Sequence, residues 1–164
     1  MAEKKIPSPA KAGRAKQRLE RIRALVGGQT TLALATTDQN LMPRSTPLFY
    51  IADANLRLYW FSSRSSRHSR NCARNPAASV AIFRDARHWR RIQGVQLEGT
   101  VSIIADRKQR RAITPQYVER FELGNLFSTA FHGSALYCFT PTWARFIDNS
   151  RAFGYKFELK LPAD

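Results

Sequence analysis

Arg44-Ser45-Thr46-Pro47-Leu48-Phe49-Tyr50, then Leu58-Tyr59-Trp60-Phe61-Ser62-Ser63, then Ser66-Arg67-His68-Ser69-Arg70-Asn71, closing on Asn75-Pro76: this run decides how the chain is read. The first two pieces are rich in aromatic and branched residues. The turn formers Asp53-Ala54-Asn55 lie between them, so they read as antiparallel strands, Pro43 to Ile51 and Leu56 to Ser62. Ser66 is a suitable N-cap, and the polar run behind it stops before Pro76, which predicts a short helix over residues 66–75. Strand ends and a helix start thereby bring hydroxyls, an imidazole and several guanidiniums together. That is chemistry suited to holding a phosphate beside a flat aromatic ring.

Working outward, the pattern predicts more short strands. Thr30 to Thr37 is β-branched and apolar, and Asp38-Gln39-Asn40 turns it into the strand that starts at Pro43. Ala78 to Phe83 reads as a buried strand. Ile92 to Ile104 is the longest, with Gly94 and Gly99 as bend or bulge points. Ser134 to Phe139 and Thr142 to Ile147 read as closing strands separated by Pro141, and Phe153 to Leu161 as a last extended piece. Before the first strand, Ala10 to Val26 carries helical spacing at Leu19, Ile22 and Val26 and ends at Gly27-Gly28. Asp106 caps a second long helix to about Glu122, broken near Pro115, and residues 126–131 read as a further helical turn. The expectation is a mainly β fold, six to eight antiparallel strands in a small barrel, with helical decoration.

A chain of 164 residues, 43% hydrophobic, holds one globular domain with a real core: a basic tail and helix over residues 1–28, and the barrel over 29–164. A net charge of +15 gives a basic surface that favours anionic partners. Residues 1–25 hold eight Lys/Arg and two Glu. Two cysteines, Cys72 and Cys138, form no metal pattern and suit a reducing compartment. No apolar run approaches the roughly 20 residues of a membrane span. Together these read as a cytoplasmic protein.

Three histidines, none in HxH or HExxH spacing, argue against zinc. No GxSxG elbow, phosphate-binding GxxxxGK[ST] loop or paired carboxylates are present, so no catalytic acid or base is assigned. An enzyme of this composition would draw its chemistry from a cofactor. At the helix start, free backbone N–H groups, the hydroxyls of Ser62, Ser63, Ser65 and Ser66, the Arg67 fork and His68 are the candidate anion donors; the alternative is a capped surface helix with solvated arginines. Pro47 cannot donate to a ladder, which marks Arg44-Ser45-Thr46-Pro47 as an edge strand with free backbone groups for a ligand, or as an ordinary edge. Trp60 and Phe61 read as core before ring-stacking residues. Trp89 and Trp143 suit either role. Nucleic-acid or phospholipid attraction remains the alternative use of the basic surplus.

These pieces, over about Thr30 to Lys156, resemble the pyridoxamine 5'-phosphate oxidase-like, FMN-binding split β-barrel family. The resemblance is carried by Pro43 to Tyr50, by Ser66 to Asn71 with Asn75-Pro76, and by Gly94-Val95-Gln96-Leu97-Glu98-Gly99. The ending Phe146-Ile147-Asp148-Asn149 with Phe153-Gly154-Tyr155-Lys156 looks like small bacterial members of that family. It implies a homodimer with FMN between subunits and a small-molecule substrate. It further implies that Arg44, Ser45, Thr46 and Pro47 run along the cofactor, and that Phe61, Ser62, Ser63, Ser66, Arg67 and His68 hold its phosphate and ribityl chain. Gln93 or Gln96 would reach the ring edge, and residues 149–156, Lys156 included, would approach from the partner. Phe49 and His68 stand where the true oxidases carry lysines, and Asn149-Ser150-Arg151-Ala152-Phe153 departs from their substrate-gripping Arg-x-His stretch. The resemblance therefore implies flavin binding more strongly than pyridoxamine phosphate oxidation. Some relatives bind haem or a deazaflavin instead.

Overall fold

The computed structural model describes residues 9–125, 127, 129 and 131–162. The basic tail expected ahead of the first helix therefore lies, up to residue 8, outside the described residues, and the helical turn expected at 126–131 is represented by Phe127 and Thr129, both helical. The elements in order are α1 (Pro9–Gly28), β1 (Thr31–Thr37), β2 (Pro43–Phe49), β3 (Ile51–Ala52), β4 (Leu58–Ser62), α2 (Arg67–Arg74), β5 (Ala77–Phe83), β6 (Gln93–Ile103), α3 (Arg107–Arg120), β7 (Ala135–Asp148) and β8 (Lys156–Lys160). The fold is mainly β: eight antiparallel strands in one curled sheet, a half-barrel, ordered β2-β1-β5-β6-β7-β4-β3 with β8 also on β7.

The core lies inside the curl. Leu32 and Leu34 of β1, Leu58 and Trp60 of β4, Val80 and Ile82 of β5, and Val95 and Leu97 of β6 alternate inward, and α1 adds Ile22, Leu25 and Val26. This period-2 alternation is what half-buried strands require. Both faces of β4 are covered, because α3 lays Ile113 and Tyr117 on its other side against Tyr59, Phe61, Leu136 and Cys138.

Four expectations are corrected. The strand read from Pro43 to Ile51 breaks at Tyr50, whose ring is buried and whose hydroxyl donates to the Val26 carbonyl at 2.6 Å. The strand read from Leu56 begins at Leu58, because Leu56 turns with φ +63°. The two closing strands are one, β7, running through Pro141. A register shift lets this happen: Glu98 faces Trp143 while Gly99 faces Pro141, so Thr142 is the extra residue of a bulge, and Pro141 sits beside it where the ladder is interrupted and a missing N–H is tolerated. Finally, α3 is unbroken at Pro115. The Thr114 hydroxyl and Gln116 amide donate to the Arg110 and Ala112 carbonyls at 2.8 and 2.9 Å, which satisfies acceptors around the proline.

β7 is the spine of the sheet. One side pairs with β6 along its length, and the other pairs with β4 through residues 135–139 and with β8 through residues 143–147. The sheet divides between these two neighbours.

Candidate functional site

The chain leaves β4 at Ser62, turns through Ser63-Arg64-Ser65, and enters α2 at its N-cap Ser66, which accepts from the Ser69 backbone N–H at 3.3 Å. Ser62 and Ser66 hydroxyls lie 3.3 Å apart, and His68 Nε2 sits 2.8 and 3.1 Å from them. Ser66 also donates to Ser69 Oγ at 2.7 Å. Burial pulls the His68 imidazole below its usual range, so it is neutral at pH 7. The result is a hydroxyl–imidazole cluster at a helix N-terminus, where free N–H groups and the helix dipole favour an anion. Arg67 is exposed beside it and makes no side-chain hydrogen bond or ion pair among the described residues. The sequence-derived candidates Ser62, Ser66 and His68 are thus in mutual contact, with Ser63 and Arg67 flanking them. Asn71 and Asn75 anchor α2 to β1 through the hydroxyls of Thr36 and Thr37, at 3.0 and 3.3 Å.

The strand Arg44 to Pro47 divides between two faces. β2 is the edge of the sheet, as Pro47 suggested. Arg44 and Thr46 turn toward the curl beside Thr36 and Leu34, while Ser45 and Pro47 turn outward. Arg44 is held in a bidentate pair with Asp38, Nε and Nη2 to Oδ2 at 2.9 and 2.8 Å. That guanidinium keeps the Asp38 carboxyl below the ordinary carboxylate range. Phe49 is exposed outward, yet its ring packs on Phe121 with centroids 5.0 Å apart. Phe61 is buried in the second cluster, edge-on to Tyr117, Phe127 and Phe131.

The two glutamines also part company. Gln96 lies on the outward face in one row with Pro47, Ala33 and Ala81. Three strand spacings of about 4.8 Å put it about 14 Å from Pro47. Gln93 turns inward and donates to Asp148 Oδ1 at 3.0 Å. Lys156 opens β8, exposed, opposite Ile147.

Asp148 is the feature that sequence reasoning missed. It is 1% exposed, and besides Gln93 it accepts from the Ser150 hydroxyl at 2.6 Å, the Ser150 N–H at 3.1 Å and the Arg21 guanidinium of α1. Burial alone would raise its pKa. The bonds from Ser150 and Gln93 and the charge of Arg21 outweigh it, and the carboxyl stays below its usual value. Arg21 also lies over the Phe146 ring at 4.9 Å. An aspartate ending an apolar strand is the only signal the sequence offered.

The outward face of β1 and β5 carries small side chains, Ala33, Ala35, Ser79 and Ala81, with exposed Phe49 and Phe83 beyond them at one end. No described helix is long and apolar enough to cross a membrane, and no cluster of metal-ligating side chains is present among the described residues.

Solved structures share this architecture at low identity, which speaks for the fold. A protein related to general stress protein 26, of the pyridoxinephosphate oxidase family, from Clostridium acetobutylicum aligns at 18% identity and TM-score 0.66 over 88% of this chain and 95% of its own. A heme binding protein from Mycobacterium smegmatis aligns at 16% and 0.70 over 87% of this chain and 57% of its own. An FAD-binding protein from Mesorhizobium loti aligns at 15% and 0.62 over 76% and 88%. No curated protein matches the sequence. The family model for pyridoxamine 5'-phosphate oxidase matches residues 19–148, most of the chain, and with the half-barrel it establishes that this protein belongs to the pyridoxamine 5'-phosphate oxidase family.

Proposed function

We propose that the protein is an FMN-binding oxidoreductase that works as a homodimer in the cytoplasm on a small organic substrate. The observation that carries this reading is the cluster of Ser62, Ser66 and His68 at the start of α2 with Arg67 beside it. Those groups, with the Ser63 hydroxyl, would hold a phosphate: hydroxyls and backbone N–H groups as neutral donors, Arg67 as the cation. Bound flavin supplies hydride acceptance. The chain's own part is to fix the phosphate, orient the ring and exclude water. Ser45, Thr46, Pro47 and Gln96 are the polar and backbone groups proposed along the ring, and Lys156 the group proposed to come from the partner. Arg44 serves by way of its pair with Asp38, and Gln93 through Asp148.

Flavin is favoured over haem by the histidines. The Nε2 of His68 is already engaged by two hydroxyls, and His88 and His132 are exposed. The absence of a lysine at 49, with Phe49 turned to Phe121, argues against pyridoxamine phosphate as substrate.

Purified protein is expected to show the absorption of oxidised flavin or to take up added FMN. Arg67→Ala is expected to weaken FMN binding at least tenfold, because a hydrogen bond to a charged group contributes about 1.5–3 kcal/mol. An Arg67→Ala affinity equal to wild type by fluorescence titration would sink the phosphate assignment. The exposed sheet face of small residues is the surface proposed for the second subunit. Light scattering in solution is expected to give twice the chain mass; a monomer at tens of micromolar would remove the dimer from the proposal.

A further inference from the structure

Residues 84–92 join β5 to β6, and residues 149–155 join β7 to β8, so both loops stand at one end of the sheet. They are tied together: Asn149 N–H donates to the Ile92 carbonyl at 3.0 Å, and its side chain to the Trp89 carbonyl at 3.1 Å. The first loop presents Arg84, Arg87, Arg90 and Arg91, all exposed and none in an ion pair or side-chain hydrogen bond among the described residues. Arg90 lies over the Trp89 ring at 5.0 Å. Trp89, 44% exposed, braces Phe153 edge-on at 5.6 Å, and Phe153 is 81% exposed. The loop encloses an open concavity of about 600 Å³.

We infer that this end of the sheet is a binding surface for single-stranded nucleic acid. Two independent features carry the inference. Free guanidiniums clustered in eight residues, on a chain of net charge +15, attract a phosphate backbone. Beside them Phe153 offers an open ring for a base to stack on, braced by Trp89, which itself carries Arg90 and His88 against its ring; stacking on such rings is how sequence-tolerant single-strand binders work. A small nucleotide would need a pocket that encloses most of its surface, and this surface is too open for that. A polymer gains instead by spanning several arginines and rings at once. The inference does not rest on the flavin reading and competes with it, because residues 149–155 cannot hold bases and lie against a partner's cofactor at once.

The test is fluorescence anisotropy of a labelled 20-nucleotide oligo(dT) with the full-length protein between 50 and 200 mM salt. Neutralising about four phosphates gives a slope near −3 in log K against log salt, roughly a fifty-fold loss of affinity over that range. Trp89→Ala with Phe153→Ala is expected to weaken binding about tenfold or more with the slope retained. Arg90→Ser with Arg91→Ser is expected to make the slope shallower by about 1.4. Lys108→Ser with Arg111→Ser, on α3 beyond the far end of β6 and about 33 Å away along the strand, is expected to stay within about twofold of wild type. Phe153→Ala alone answers the same question if the double variant does not fold, since that ring is mostly outside the packing. No binding at 50 mM salt, an aromatic variant equal to wild type, or equal loss in the α3 variant would each overturn the proposal. So would equal affinity for a mononucleotide, or binding to phosphatidylserine vesicles without binding to the oligonucleotide.

Discussion

Replacing Asp148 by alanine is expected to destabilise the fold by about 3–5 kcal/mol, the range seen when one partner of a buried ion pair is removed. The carboxylate is inside the protein with Gln93, Ser150 and Arg21 all donating to it. Its loss strands a guanidinium that is only 25% exposed and removes the side-chain bond from Gln93 of β6 and the bonds that shape the turn at Ser150. Urea denaturation measures the effect; a midpoint within error of wild type would show that the network contributes nothing. The pH dependence follows from the direction of the shift. The folded carboxyl titrates below the unfolded one, so as pH falls the unfolded chain takes the proton first. The stabilisation is therefore complete above about pH 4, the ordinary value for an aspartate, and drains away as pH drops through the folded value. The wild-type advantage over Asp148→Ala should accordingly shrink in acid and hold at neutral pH.

Gly99→Ala is expected to cost about 3 kcal/mol or more, at the upper end for overpacking. A Cβ at residue 99 would meet the Thr140 carbonyl oxygen at 2.1 Å and the Pro141 Cα at 2.8 Å. These are backbone atoms of the paired strand, so no side chain can swing aside. Relief requires prying β6 from β7 at the bulge, in the middle of the sheet. Gly94 is the useful contrast, because a Cβ there meets its nearest atom only at 3.4 Å. Thermal unfolding should separate the two, with Gly99→Ala far below Gly94→Ala. Equal melting temperatures would mean that the bulge relaxes freely.

What could be read from the sequence was what local chemistry controls. The strands β1, β5 and β6, the Ser66 cap, the stop before Pro76 and the edge position of Pro47 all follow from single residues acting on their own backbone, and they were legible. Glycine at 99 was read as a bend or bulge point, and the register shift lies there. The misreadings arose where a distant partner decides. Pro141 and Pro115 look like breaks until the bulge and the neighbouring side-chain donors are in view. For the site, the clustering of Ser62, Ser66 and His68 was legible because they are adjacent in sequence. The opposite facings of Gln93 and Gln96 follow from an odd spacing of three, and Val95 and Leu97 put Gln93 on the inward side; what the sequence could not show was its partner there, Asp148, 55 residues from Gln93. Arg44 could not be seen as Asp38's partner from types alone, since both residues also suit other roles.

The spine strand has a consequence for biosynthesis. Because β4 and β6 both find their partner in residues 135–148, neither has that neighbour while the ribosome is still making the first four-fifths of the chain. The nascent barrel stays open, with the inward faces of β4 and β6 lacking their central wall, until β7 leaves the exit tunnel. Assembly is then governed by pairings such as Leu58 with Phe139, some eighty residues apart, which places the protein among slow, high-contact-order folders. Chain completion, more than local helix or hairpin formation, is the event that commits this molecule to its native state.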